Sequence, residues 1–275
     1  MSDIIEAVAD LCMRANYELA DDVCNALEKG LACEESDAGR DVFRQLIENA
    51  GIARTEQVPM CQDTGFAVIF LEVGQDLHIA GCSLPDAVNE GVAKGYREGY
   101  LRMSIVGHPL KRINTGDNTP AVIHTEIVPG DKLKIIAAPK GGGSENMSGV
   151  RMLKPSDGVE GVKKFVVELV EAAGSNPCPP IIVGVGIGGT MDKAAILAKK
   201  SLLRPIGEHN PNPDDAQLEM DLLELVNATG IGPAGLGGRI TALAVNVETY
   251  PCHIASLPVA VNIQCHAARH KEVTL

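Results

Sequence analysis

The segment Cys61-Gln62-Asp63-Thr64-Gly65 puts a potential metal-binding thiolate directly before an amide, a carboxylate and a turn glycine. A soft ligand beside groups able to orient a polar substrate suggests chemistry at a metal. The chain has eight cysteines, Cys12, Cys24, Cys33, Cys61, Cys82, Cys178, Cys252 and Cys265, none of them in a Cys-x-x-Cys pair. That spacing removes zinc ribbons, ferredoxin-type runs and thioredoxin-like redox sites, so a metal site must be assembled from distant segments. A lone cysteine is ordinarily a small buried hydrophobe. Cys61, Cys178 and Cys265, however, each sit at a predicted strand boundary, and three thiols at the ends of separate strands can meet at one point. Cys12 and Cys24 fall in a predicted helix and are assigned to the core. Cys33 and Cys82 lack polar company. Cys252, next to His253, is a rival ligand.

Other segments carry weaker signals. Gly184-Val185-Gly186-Ile187-Gly188-Gly189 matches the G-x-G-x-x-G pattern between a strand and a helix, as a dinucleotide-binding loop would. The acidic residue about twenty positions on is Glu208, inside a Pro/Asn-rich loop, so the preferred explanation is a tight turn that needs glycine for packing. Lys140-Gly141-Gly142-Gly143-Ser144 can offer backbone N–H groups to an anion or simply form a flexible loop. His253 and Arg102 alone decide nothing. A histidine is often a satisfied loop or core residue, and an arginine after a helix suits the helix dipole.

These residues need elements to position them. Apolar spacing predicts two helices before the Cys61 loop, one around Ile4 to Cys12 and one from Asp37 to Ala50. A strand follows over Ala67 to Val73, then a helix from Asp86 to Leu101 entered after Pro85. Ala121 to Val128 and Lys132 to Ala138, separated by Pro129-Gly130-Asp131, read as a hairpin-like pair. Helices are predicted over Gly158 to Ala173, Met191 to Leu203 with Thr190 as cap, and Asp215 to Val226. The remaining strands are Ile181 to Val185, Ile240 to Val247 and Val259 to Gln264. The expected class is α/β, a mixed central sheet with surrounding helices and the cysteine-bearing loops converging at one edge, in a single domain over 1–275.

Composition sets outer limits. The chain has 275 residues, 45% of them hydrophobic, enough for one large core or two modest ones. A net charge of −12 with no long basic tract argues against nucleic acid or an anionic membrane as partner. A small anionic substrate stays open if a few basic residues gather in one pocket. No apolar run reaches membrane-spanning length, and the acidic start is unlike a basic signal peptide, so the expected location is cytoplasmic. In a reducing compartment, special cysteines serve as ligands or nucleophiles and not as disulfides.

Taken together, Pro59-Met60-Cys61-Gln62-Asp63-Thr64-Gly65, Lys140 to Ser144, Cys178-Pro179-Pro180, Gly184 to Thr190, and His253 followed twelve residues later by Cys265 resemble one family. It is that of the alpha subunits of two-subunit iron–sulfur class I fumarate hydratases and the related L-tartrate dehydratases. The resemblance implies a 4Fe-4S cluster held by Cys61, Cys178 and Cys265, with one open iron acting as a Lewis acid on the substrate. It implies that Gln62 and Asp63 contact substrate, that Arg102 binds a carboxylate, and that the backbone of Gly143 contacts an anion. His253 matches the active-site histidine, and His253 or Asp63 is expected to serve as acid or proton relay. The reaction implied first is reversible hydration of fumarate to L-malate, with dehydration of tartrate to oxaloacetate as the alternative. In single-chain relatives a C-terminal domain completes the site, so a separate beta subunit is expected to supply the missing groups, the catalytic base among them, in a dimer of alpha-beta units. A nicotinamide-dependent oxidoreductase using Gly184 to Gly189 and a non-catalytic iron–sulfur scaffold are the rivals.

Overall fold

A computed structural model describes all of residues 1–275. The helices are α1 (Ser2–Tyr17), α2 (Asp21–Cys33), α3 (Asp37–Glu56), α4 (Leu84–Glu98), α5 (Gly142–Glu145), α6 (Gly158–Ala173), α7 (Met191–Ser201) and α8 (Pro213–Ala228). The strands are β1 (Phe66–Gly74), β2 (Val122–Val128), β3 (Leu133–Lys140), β4 (Gly149–Leu153), β5 (Ile181–Gly188), β6 (Ala242–Tyr250), β7 (Leu257–Gln264) and β8 (Lys271–Thr274). The class is mixed α/β, as expected, with the strands divided between two four-stranded sheets. Two compact units result: Met1–Ala20, Asn49–Gly142 and Arg269–Leu275 form the first, Asp21–Glu48 and Gly143–Ala268 the second. No helix is long and apolar enough to cross a membrane.

In the first unit the sheet order is β2-β1-β3-β8. Helices α1 and α4 lay Val8, Leu11, Val88 and Val92 over Ile69, Leu71 and Ile135 of the sheet, a single buried cluster. The hairpin expectation fails here, because β2 and β3 do not pair with one another. β1 lies between them, parallel to β2 and antiparallel to β3. Burial explains the insertion. β1 is buried from Ala67 through Leu71 and takes a central position, whereas β2 exposes most of its residues and suits an edge.

The second unit orders its sheet β4-β7-β5-β6, with β5 parallel to β6 and antiparallel to β7. One face is covered by Phe165, Val166 and Val170 of α6 and by Leu222 and Val226 of α8. Small residues of α7, Ala194 and Ala198, meet Ala260 in a separate cluster. Three helices precede the Cys61 loop where two are expected. The additional one, α2, buries only Val23, Leu27 and Gly30, a thin apolar stripe, and a Cβ at Gly30 would stand 2.6 Å from the ring of Phe43. Helix α7 begins after Thr190 as expected, but that side chain makes no capping bond and donates instead to Asp192 Oδ1 at 2.5 Å.

Glu34, at the end of α2, is fully buried. Its carboxylate accepts hydrogen bonds from the backbone N–H groups of Glu35, Ser36, Arg239 and Ile240 at 2.8–3.0 Å, tying α2 to the segment before β6. Burial pushes its pKa up, but the four donors outweigh it and hold the carboxyl below its usual range. Because the folded value is depressed, the stabilisation is complete above the unfolded pKa and is lost as pH falls through the folded one. Glu34→Gln turns an amide NH2 toward these donors and is expected to lower stability at neutral pH by about 2–4 kcal/mol, read by chemical denaturation. The difference from wild type should shrink in acid.

Candidate metal centre

The loop that carries Cys61 is held at both ends. Met60 donates its N–H to the Asn16 carbonyl at 3.0 Å and accepts from Asn49 Nδ2 at 2.8 Å. Thr64 Oγ1 donates to the Arg102 carbonyl at 3.1 Å, and the Gly65 carbonyl accepts from Tyr96 Oη and Asn118 Nδ2. Gly65 has φ +72°, and a Cβ there would lie 2.6 Å from the Lys140 backbone, so glycine is required for the loop to lie against β3. Asp63 holds the centre. Its Oδ1 accepts from Gly65 N at 3.0 Å and its Oδ2 from Gly142 N at 2.9 Å, joining the loop to the start of α5. Within this frame Cys61 is half-buried, and Gln62 and Arg102 are exposed. One unit therefore gathers Cys61, Gln62, Asp63 and the backbone of Arg102.

The second unit brings two more thiols to one sheet end. Ile182 at the start of β5 pairs with Gln264 at the end of β7, so the loop before β5 and the segment after β7 leave the same edge. His266 Nδ1 donates to the Cys178 carbonyl at 3.0 Å and ties the two together. Cys178 is exposed and Cys265 half-buried. Cys178 adopts φ +55°, a left-handed conformation costly for a residue with a Cβ and often retained for function. Its loop is pinned by Ala234 N to Pro179 O at 2.8 Å and Cys178 N to Ser175 O at 3.0 Å.

His253 lies elsewhere. It occupies the exposed loop between β6 and β7, where Ala255 N donates to its Nδ1 at 3.1 Å, and it lines cavities of about 420 and 610 Å³. Strand β7 runs from that loop to Cys265, and its eight residues span about 23 Å. Within the second unit, then, His253 and its neighbour Cys252 are a strand length from the Cys178–Cys265 end. The same distance argues against Cys252 as the rival third ligand. Cys12 is fully buried in the α1 core, where desolvation pushes its thiol up to about 12, so it supplies no thiolate.

The glycine turn has a packing explanation. A Cβ on Gly184 or Gly186 would stand 2.1 Å from the carbonyl oxygens of Ala198 and Ala194, so these glycines let α7 lie directly on β5. At the other glycine stretch, Gly143 is exposed, and the buried side of α5 turns Glu145 toward Lys199 Nζ at 2.6 Å and Asn262 Nδ2 at 3.1 Å. That network braces the half of β7 leading to Cys265.

No group of three His, Cys, Asp or Glu side chains stands close enough to hold a metal ion as the chain is folded. The donor chemistry nevertheless fits an iron–sulfur group: accessible thiols outside any Cys-x-x-Cys pair, two of them at one sheet end. Two residues missed from sequence support the same segment. His266 follows Cys265 directly, and Arg269 donates Nη2 to the Asp63 carbonyl at 2.5 Å while its Nε and Nη1, both buried, have no partner. The available signal was the cationic and imidazole-rich run His266 to His270 after an apolar strand.

Comparison with known proteins places the chain in a family. The family profile described as fumarate hydratase (Fumerase) matches residues 5–274. The chain is 47% identical over 272 residues to "Putative L(+)-tartrate dehydratase subunit alpha" of Methanocaldococcus jannaschii, covering 97% of this chain and 95% of that one. It is 35% identical over 273 residues to "L(+)-tartrate dehydratase subunit alpha" of Escherichia coli strain UTI89, covering 98% and 89%. The class is thus hydro-lyase, an enzyme that adds water to a carbon–carbon double bond or eliminates water to form one. Within that class the chain belongs to the fumarate hydratase (Fumerase) family.

Proposed function

We propose that this chain is the alpha subunit of a two-subunit iron–sulfur hydro-lyase that dehydrates L-tartrate to oxaloacetate. The expectation of fumarate as first substrate gives way to tartrate, because the relatives are named for tartrate dehydration and for an alpha subunit. The observation that carries the cluster assignment is the shared sheet end of Cys178 and Cys265. The third thiol is Cys61. It is assigned by the family resemblance carried on the Cys61 to Gly65 segment, and within the first unit Arg269 grips the carbonyl two residues from it.

Cys61, Cys178 and Cys265 would hold a 4Fe-4S cluster. When bound, it supplies one iron with an open position, a Lewis acid toward the departing hydroxyl. Arg102 pairs with a substrate carboxylate, the Gln62 amide donates to a substrate oxygen, and the N–H of Gly143 faces the second carboxylate. Asp63 moves the proton at the leaving oxygen. Its backbone-anchored carboxylate sits in the same loop as Cys61, which favours it over His253. Loss of that hydroxyl and of the neighbouring C–H proton gives an enol that tautomerises to oxaloacetate, the C–H proton going to a base on the beta subunit. The working particle is a dimer of alpha-beta units in the cytoplasm.

The test is initial rates of the iron-loaded chain with its partner subunit on L-tartrate and L-malate. Turnover of tartrate that needs both iron and partner is expected, and a loaded two-subunit enzyme that prefers malate would reverse the substrate assignment. His253→Asn is expected to bind as much iron as wild type, since β7 keeps residue 253 away from Cys265. Iron per chain, measured after anaerobic reconstitution, checks this.

A further inference from the structure

Arg269 is 4% exposed, and its side chain has one hydrogen bond, to the Asp63 carbonyl. Its Nε and Nη1 are buried without any partner, and no carboxylate pairs with it. A guanidinium cannot shed its proton to escape burial, so this is a permanent buried charge with no carboxylate at ion-pair distance. Holding one carbonyl does not require it, because a neutral donor would serve without a desolvation cost. Its position gives the reason. It acts on the backbone two residues from Cys61, in a loop whose other side-chain donors to the backbone are neutral: Asn49, Tyr96 and Asn118.

We propose that Arg269 is a positioning residue for an anionic cluster at Cys61, fixing the loop through the Asp63 carbonyl and supplying the buried positive charge that offsets the cluster's negative one. A cubane core held by three thiolates has net negative charge, and its sulfur atoms accept N–H hydrogen bonds, so nearby cations and donors raise its reduction potential and retain its iron. The inference rests on the cluster assignment above. It makes a prediction that a purely structural arginine does not: the charge is a burden to the metal-free chain and an asset only to the loaded one.

The test uses Arg269→Met, which keeps the length and removes the charge, and Arg269→Lys, which keeps the charge. Thermal melting of the metal-free chain is measured first. On the loaded protein with its partner subunit, iron release to a chelator under anaerobic conditions and the cluster midpoint potential follow. The expected result is that metal-free R269M melts no lower than wild type, while its loaded form retains iron about 10–100-fold less tightly and its potential moves negative. R269K restores most of both. The proposal is overturned if R269M fails to fold, if it matches wild type in potential and iron retention, or if R269K is as impaired as R269M. A wild-type chain that binds no iron would bring down the cluster assignment and this inference together. A loaded R269M that equals wild type removes the inference alone.

Discussion

Cys178→Ser is expected to abolish useful turnover of L-tartrate, by on the order of 10³-fold or more, while the chain keeps its fold. The magnitude follows from what is lost. A Lewis acid at the departing oxygen contributes several kcal/mol in the transition state, and each 1.4 kcal/mol is about tenfold in rate. The fold should survive because Cys178 is exposed and contributes little to packing. Its loop is held by neighbouring backbone bonds, Cys178 N to Ser175 O and Ala234 N to Pro179 O, which a serine preserves. Iron content after anaerobic reconstitution should fall together with activity, and far-UV circular dichroism should not change. A serine variant that turned over tartrate at the wild-type rate would remove residue 178 from the centre.

Asp63→Asn should lower kcat by about 10²–10⁴-fold, the range for a positioned proton-transfer group. Asparagine keeps the size and one carbonyl oxygen but replaces the other acceptor with an NH2. Either the bond from Gly65 N or that from Gly142 N is then lost, and the loop loses its tie to α5 as well as its proton carrier. A split between the two roles is measurable. Loss of proton transfer alone lowers kcat with little change in iron content, whereas loss of loop geometry also raises KM and releases iron. Asp63→Glu, which retains the carboxylate but moves it by one methylene, should recover neither fully, because both oxygens are already placed by fixed backbone donors.

Much of this was legible in the residues. Local periodicity located α1, α4, α6, α7 and α8 and the strands β1, β5 and β7, because in each the apolar pattern reports burial along one element. What local pattern does not contain is partnership. Leu133 to Lys140 reads as the return strand of a hairpin with Val122 to Val128, yet both pair with β1, whose nine residues come from far earlier in the chain. β4 and β8 were invisible for a related reason, since edge strands such as Lys271–Thr274 are short and bury no side chain fully. The site followed the same rule. Placing Cys178 and Cys265 at strand ends was enough to suggest a meeting, and the antiparallel register of β5 with β7 brings those two ends together. That register also separates His253 from Cys265, because the residues between them are a whole strand. Arg269 could be recognised only in three dimensions, since what marks it is the lack of hydrogen-bond partners at two of its buried nitrogens.

The most direct measurement of the central claim is Mössbauer spectroscopy of the ⁵⁷Fe-reconstituted chain with its partner subunit, recorded anaerobically with and without L-tartrate. A single 4Fe-4S cluster per chain, one of whose iron sites changes its isomer shift and quadrupole splitting when tartrate is added, is the result predicted here. A cluster whose four irons are all insensitive to substrate, or a chain that takes up no iron with Cys61, Cys178 and Cys265 reduced, would contradict it.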